Sequence, residues 1–108
     1  MEVSNTEHWN DIVSSIPETV PIVVKYGATW CGPCKAIAPK FEQLAAKYKE
    51  TAVFLTVDID DLSDIAEKFG INSVPTVLIF HGGKEVKRVQ GAGAGTISEI
   101  EAAVMSLV

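Results

Sequence analysis

Cys31 and Cys34 bracket a Gly32-Pro33 pair, and they are the only cysteines in the 108-residue chain. Two thiols at this spacing can interconvert between a dithiol and a disulfide. Pro33 reads as the first turn of a helix, which puts Cys31 at the N-terminus, where unpaired N–H groups and the positive dipole end favour a thiolate. Cys31 is therefore expected to be the nucleophile. Cys34 then lies one turn along the same helix, placed to attack the mixed disulfide that Cys31 forms, and is expected to be the resolving thiol. The same spacing supplies two of the four ligands of a tetrahedral zinc site. Only His8 and His81 could complete it, and they share no ligand spacing, so no metal is assigned.

The elements that must position this pair follow from the apolar pattern. Ser4 and Glu7 have capping-box spacing, and Trp9, Ile12, Val13 and Ile16 recur at helical intervals up to Pro17. Pro21 opens the β-branched run Ile22 to Tyr26, which ends at Gly27 and reads as a buried strand. A second helix follows from Pro33, with Phe41, Leu44, Ala45 and Tyr48 on one face and a kink expected at Pro39. Val53 to Val57 has strand composition, and a short helix from about Ser63 to Phe69 stops at Gly70. Thr76 to Phe80 and Glu85 to Val89 flank His81-Gly82-Gly83-Lys84 as a hairpin. Thr96 with Glu99 should cap a last helix whose buried stripe is Ile97, Ile100, Val104 and Leu107. Strands joined by helices favour parallel pairing, and the hairpin adds antiparallel strands, so a mixed sheet covered by helices on both faces is expected.

Composition narrows the function classes. An apolar fraction of 47% and a charged fraction of 21% are those of a globular protein, and the length suits one domain over residues 1–108. The net charge of −5 is spread along the chain with no basic stripe, which argues against nucleic acid or an anionic membrane as partner. Apolar runs such as Val77 to Phe80 fall far short of the roughly 18 residues that span a bilayer. The acidic N-terminal segment, without Lys or Arg before the first strand, does not have the pattern of a signal or transit peptide, so a cytoplasmic location is expected. Gly91 to Gly95 lacks the Gly-Lys-Ser/Thr ending of a phosphate loop and reads as a flexible turn. His81 and the lysines at 35, 40, 47 and 49 read as solvated.

Trp30-Cys31-Gly32-Pro33-Cys34-Lys35, then Pro39, Val74-Pro75-Thr76, the Gly82-Gly83 hairpin and Gly91 stand in the order and approximate spacing of the thioredoxin family. The chain resembles that family over essentially its whole length. The resemblance implies an α/β thioredoxin fold, a central mixed sheet of four to five strands flanked by helices on both faces. It implies a cis peptide at Val74-Pro75 packed against the cysteines, where unaided sequence reading leaves an ordinary trans turn open. It also implies a shallow apolar groove for a partner protein, formed by Trp30, Gly32, Pro33, Ile59, Val74 and the Gly91-Ala92 backbone, although Trp30 taken alone also suits a core position.

By the same resemblance the chain is a protein-disulfide reductase with no bound cofactor, recharged from NADPH by a thioredoxin reductase. Gly-Pro between the cysteines is similar to the reducing members, whereas oxidants and isomerases usually carry a histidine there. Its expected partners are disulfide-containing proteins and the reductase, with the chain acting as a monomer. The alternative is a redox-inactive or partner-trapping module that uses the groove as a peptide clamp.

Three positions depart from the family pattern. Lys25 stands where thioredoxins usually place a buried Asp, Thr56 where the neighbouring strand usually supplies a lysine, and Gly27 where a larger, often aromatic residue is usual. Lys25 falls on the strand face shared by Val23 and Gly27. An ammonium there is expected to pair with Asp58 or to snorkel to water. The sharper alternative is that its charge tunes Cys34. Loss of a side chain at Gly27 should leave room beside the active-site helix.

Overall fold

Residues 1–108 are described by a computed structural model, in which eight regular elements alternate around one sheet. In chain order they are α1 (Thr6–Ser15), β1 (Ile22–Gly27), α2 (Gly32–Lys47), β2 (Val53–Asp58), α3 (Ser63–Lys68), β3 (Thr76–His81), β4 (Lys84–Gln90) and α4 (Thr96–Met105). The strands lie in the order β2-β1-β3-β4. β1 pairs parallel with β2, Lys25 opposite Thr56, and antiparallel with β3, Lys25 opposite Val77. β3 and β4 form the expected hairpin. Its turn needs two residues at positive φ, and Gly82 (65°) and Gly83 (79°) supply them. Beyond the four strands, a parallel bridge from Glu2 to Thr56 ties the N-terminal segment to the edge of β2, with Val3 N–H donating to Thr56 O at 2.9 Å.

Alternation along the strands divides the core in two. Val24, Tyr26, Leu55, Val57 and Leu78 face Trp9 and Ile12 of α1 and Ile65 of α3. Val23, Phe54, Val77 and Ile79 face Phe41 and Leu44 of α2 and Ile100 and Val104 of α4. The near-continuous burial of β1 reflects cover on both faces. A residue such as Phe41, 1% exposed, contributes about 3 to 5 kcal/mol relative to alanine.

Two helix starts differ from the sequence reading. α1 is capped by Asn5, whose Oδ1 accepts from His8 N–H at 2.8 Å, whereas Ser4 lies outside the helix and donates its N–H to His8 Nδ1. Asparagine is at least as good a cap as serine, and local geometry selects between neighbours. α4 starts after Gly95 with no side-chain cap, because Thr96 is buried and its hydroxyl reaches back to Gly91 O at 3.3 Å. In α2, Pro39 lies within the helix without ending it, and Ile37 joins the expected apolar face.

Candidate functional site

β1 ends at Gly27, and the short turn through Ala28, Thr29 and Trp30 delivers the chain into α2 with Cys31 as its N-cap. Cys31 Sγ accepts the Cys34 backbone N–H at 3.1 Å. The sulfur therefore holds the place usually taken by a capping oxygen, at the end of the helix where negative charge is favoured. Cys31 and Cys34 are joined as a disulfide with Cα atoms 5.3 Å apart. Pro33 sits in the first turn, where its missing N–H leaves nothing unsatisfied.

The two cysteines form a small apolar cluster with Ala28, against which Ile59 and Val74 pack. Ile59 follows β2, and its N–H donates to Gly27 O at 2.9 Å. The Val74-Pro75 peptide is cis. Pro75 O accepts from Gly91 N–H at 2.9 Å, and Gly91 adopts φ +88°, so the Gly91-Ala92 turn is tied to the loop that carries Val74. Gly32 and Pro33 are exposed beside the buried cysteines. Trp30 is not in the core but 67% exposed. Its indole N–H donates to Asp60 Oδ2 at 2.9 Å, and Asp60 N–H in turn donates to Asp58 Oδ1 at 2.8 Å. The fold thus brings together residues from four separate loops around one disulfide. Asp60 carried no signal in the sequence, because its spacing from Trp30 becomes meaningful only when β1 and β2 lie side by side.

Lys25 makes no ion pair with Asp58. That expectation is overturned: Asp58 turns its carboxylate to the Asp60 amide, and the Lys25 ammonium sits over the Phe41 ring, 5.2 Å from its centroid. The residue is only 8% exposed. Burial lowers the Lys25 pKa from its ordinary value, and the charge of Glu42 opposes that shift. Gly27 packs closely against the active-site helix, since a Cβ there would meet Cys34 Sγ at 3.3 Å, a tight contact.

The histidines are engaged elsewhere, His8 Nδ1 accepting from Ser4 and His81 Nε2 lying 3.2 Å from Thr19 O. Lys47 is not a free cation. Its ammonium and the Tyr48 hydroxyl both donate to Glu101 Oε2, at 2.6 and 2.7 Å, linking α2 to α4. No helix is long and apolar enough to cross a membrane.

The thioredoxin family model matches residues 1–105. The chain is similar to Thioredoxin-2 of Saccharomyces cerevisiae, 47% identical over 78 residues that make up 72% of this chain and 74% of the relative. Thioredoxin-1 of the same yeast is 43% identical over 90 residues, 83% of this chain and 86% of that one. Among solved structures, reduced Schistosoma mansoni thioredoxin superposes with a TM-score of 0.88 at 34% identity, covering 99% of this chain and 96% of the other. A Nicotiana alata thioredoxin gives 0.89 at 37%, covering 98% and 90%. Taken with a disulfide that begins a helix beside the sheet's central strand, these likenesses make the chain a member of the thioredoxin family, a thiol-disulfide oxidoreductase whose redox pair is Cys31 and Cys34.

Proposed function

We propose that the chain, acting as a single domain over residues 1–108, is a general reductase of protein disulfides. The observation that carries this reading is the position of Cys31 as the cap of α2, with its sulfur accepting the Cys34 N–H. In the dithiol form the Cys31 thiolate attacks one sulfur of a target disulfide, breaking that bond and expelling one target thiolate, which takes up a proton. The Cys34 thiol loses its proton, attacks Cys31 Sγ, breaks the mixed disulfide and releases the second target thiolate. Two electrons pass to the target and the Cys31–Cys34 disulfide forms. Trp30, Gly32, Pro33, Ile59, Val74 and the Gly91-Ala92 turn form the groove that holds the target segment, and Pro75 shapes it beside the cysteines. Val74 lies outside the regular elements, which suits its backbone to pairing with an extended segment.

The disulfide is returned to the dithiol by a thioredoxin reductase that draws on NADPH, and the chain itself binds no cofactor. A bifunctional thioredoxin reductase/thioredoxin of Mycobacterium leprae, 37% identical over 85% of this chain, supports that partnership. We place the protein in the cytoplasm as a monomer, which fractionation and gel filtration test.

Reduction of insulin disulfides with dithiothreitol as electron donor tests the reading, followed by the same assay driven by NADPH and a thioredoxin reductase. The wild type should accelerate reduction, Cys31→Ser should abolish it, and Cys34→Ser should accumulate a mixed disulfide. A rate no higher than the dithiothreitol background overturns reductase function and leaves a peptide-binding module.

A further inference from the structure

Behind the disulfide lies a cavity of about 280 Å³, lined among others by Glu2, Lys25, Gly27, Cys34, Glu42 and Asp58. It is a different space from the groove: the groove residues Trp30, Val74 and Gly91 take no part in it. Its depth depends on Gly27, since any side chain built there would start within 3.3 Å of Cys34 Sγ and extend into the opening. Cys34 and Lys25 line one cavity, on the side of the sheet where Val23, Lys25 and Gly27 face α2.

Lys25 is the one cation in this lining, and it is buried with no hydrogen bond or ion pair. Burial works against its charge. Two features of α2 work for it, the Phe41 ring face 5.2 Å from Nζ and the charge of Glu42, an exposed residue of the same lining. The other charged groups facing the space are Asp58 from β2 and Glu2 from the N-terminal bridge. Asp58 accepts the Asp60 N–H at 2.8 Å and makes no ion pair with Lys25. Among the groups around Cys34, then, the cation has no contact partner to cancel its field, and its counter-charges stand towards solvent, where water screens them.

We propose that the Lys25 ammonium acts across this cavity as a positioning charge for Cys34, favouring its thiolate in the dithiol form and so speeding release of the reduced target. The inference rests on Cys34 being the resolving thiol. A positive charge close to an ionising thiol favours the anion, and a low-polarity surrounding strengthens the effect. No proton need pass to the lysine. The Cys34 proton leaves to solvent through the cavity mouth, Cys34 sulfur bonds to Cys31 sulfur, and the electron pair of the mixed disulfide departs with the target. Gly27 belongs to the same device, because a larger residue would fill the space and part the two groups.

The test is a pH titration of the reduced, full-length protein, following the 13Cβ resonances of Cys31 and Cys34 separately, in wild type, Lys25→Met and Lys25→Arg. Lys25→Met keeps the aliphatic volume and removes the charge. It should raise the midpoint for Cys34 by about one pH unit, and Lys25→Arg should bring it back most of the way, as expected for a nearby charge. Single-turnover reduction of insulin at neutral pH should slow by roughly threefold to fourfold in Lys25→Met, the order expected when the thiolate fraction falls about tenfold and nucleophilicity partly compensates. A Cys34 titration that coincides in wild type and Lys25→Met overturns the proposal. So do equal shifts in Lys25→Met and Lys25→Arg, which would assign the effect to packing. These titrations are read without any target present, so failure of the insulin assay would count against reductase function and leave the lysine result standing on its own.

Discussion

The Trp30 indole N–H is hydrogen-bonded to the Asp60 carboxylate over 2.9 Å, so the exposed ring beside the disulfide is anchored by the loop that follows β2. An aromatic surface that is already held in place loses less freedom when a partner docks on it. Asp60→Ala should therefore raise KM for insulin by about three- to tenfold with kcat nearly unchanged, equivalent to about 1 kcal/mol for one hydrogen bond. Asp60→Asn, which keeps an acceptor oxygen, should fall between the two. Steady-state insulin reduction separates them, and a change confined to kcat would contradict the anchoring role.

Tyr26 is fully buried, and its hydroxyl has no protein hydrogen-bond partner. Removing that hydroxyl should stabilise the fold by about 1 kcal/mol, so Tyr26→Phe is expected to move the urea midpoint upwards. Burial also raises the Tyr26 pKa above its ordinary 10.0. The sign follows: above pH 10 the unfolded chain releases the phenol proton while the folded chain keeps it, so stability falls as pH rises. That alkaline fall should be shallower in Tyr26→Phe. Parallel curves would show that the phenol titrates alike in both states.

Glu101 accepts from both Lys47 and Tyr48, and the hydrogen bond from Lys47, followed by that from Tyr48, lowers its pKa from 4.5. A lowered carboxylate contributes stability above its unfolded value and loses it as pH falls through the folded one. Glu101→Gln should therefore lie below wild type near neutrality and converge with it as pH drops below 4.5. The gap should also narrow in high salt, because Lys47 is exposed and Glu101 only partly buried. Urea midpoints across the acid-to-neutral range, at about 0.1 M and about 1 M salt, where the Debye length falls from about 10 Å to about 3 Å, test both statements.

Lys25 has the opposite sense of linkage. Its pKa is lowered on folding, so the folded chain carries a penalty at neutral pH that is relieved as pH rises towards 10.5. Lys25→Met should be more stable than wild type at pH 7 by about 1 kcal/mol, since replacing a buried charge by an apolar group of similar volume is commonly neutral or stabilising. The advantage should shrink in the alkaline range. A variant less stable than wild type at pH 7 would mean that the Phe41 contact outweighs desolvation.

Much of this architecture is legible along the chain. The β-branched run after Pro21, the Gly82-Gly83 turn and the Pro33 start of α2 each carry a local physical reason, and the elements form where those reasons place them. Caps were less legible. Ser4, Asn5 and Thr6 are all competent, and only the backbone at Asn5, φ −160° and ψ 178°, aims a side-chain oxygen at His8 N–H. Thr96 looked like a cap and instead serves the turn at Gly91, because burial of its side chain outweighs the local preference.

That two thiols share one helix turn behind a buried strand, and with it the dithiol chemistry, can be read along the chain, because spacing and helix start are local properties. Alternation along β1 also places Lys25 on the face towards α2. Which groups surround that lysine was decided by the tertiary structure alone. Asp58 lies on the adjacent strand of the same sheet, yet its carboxylate is drawn to the Asp60 amide, while Phe41, far along the chain, brings its ring beneath the ammonium. Parallel pairing of β1 with β2 and the packing of α2 across the sheet set those neighbours, and contacts of that kind are fixed by how layers meet rather than by any pattern within one segment.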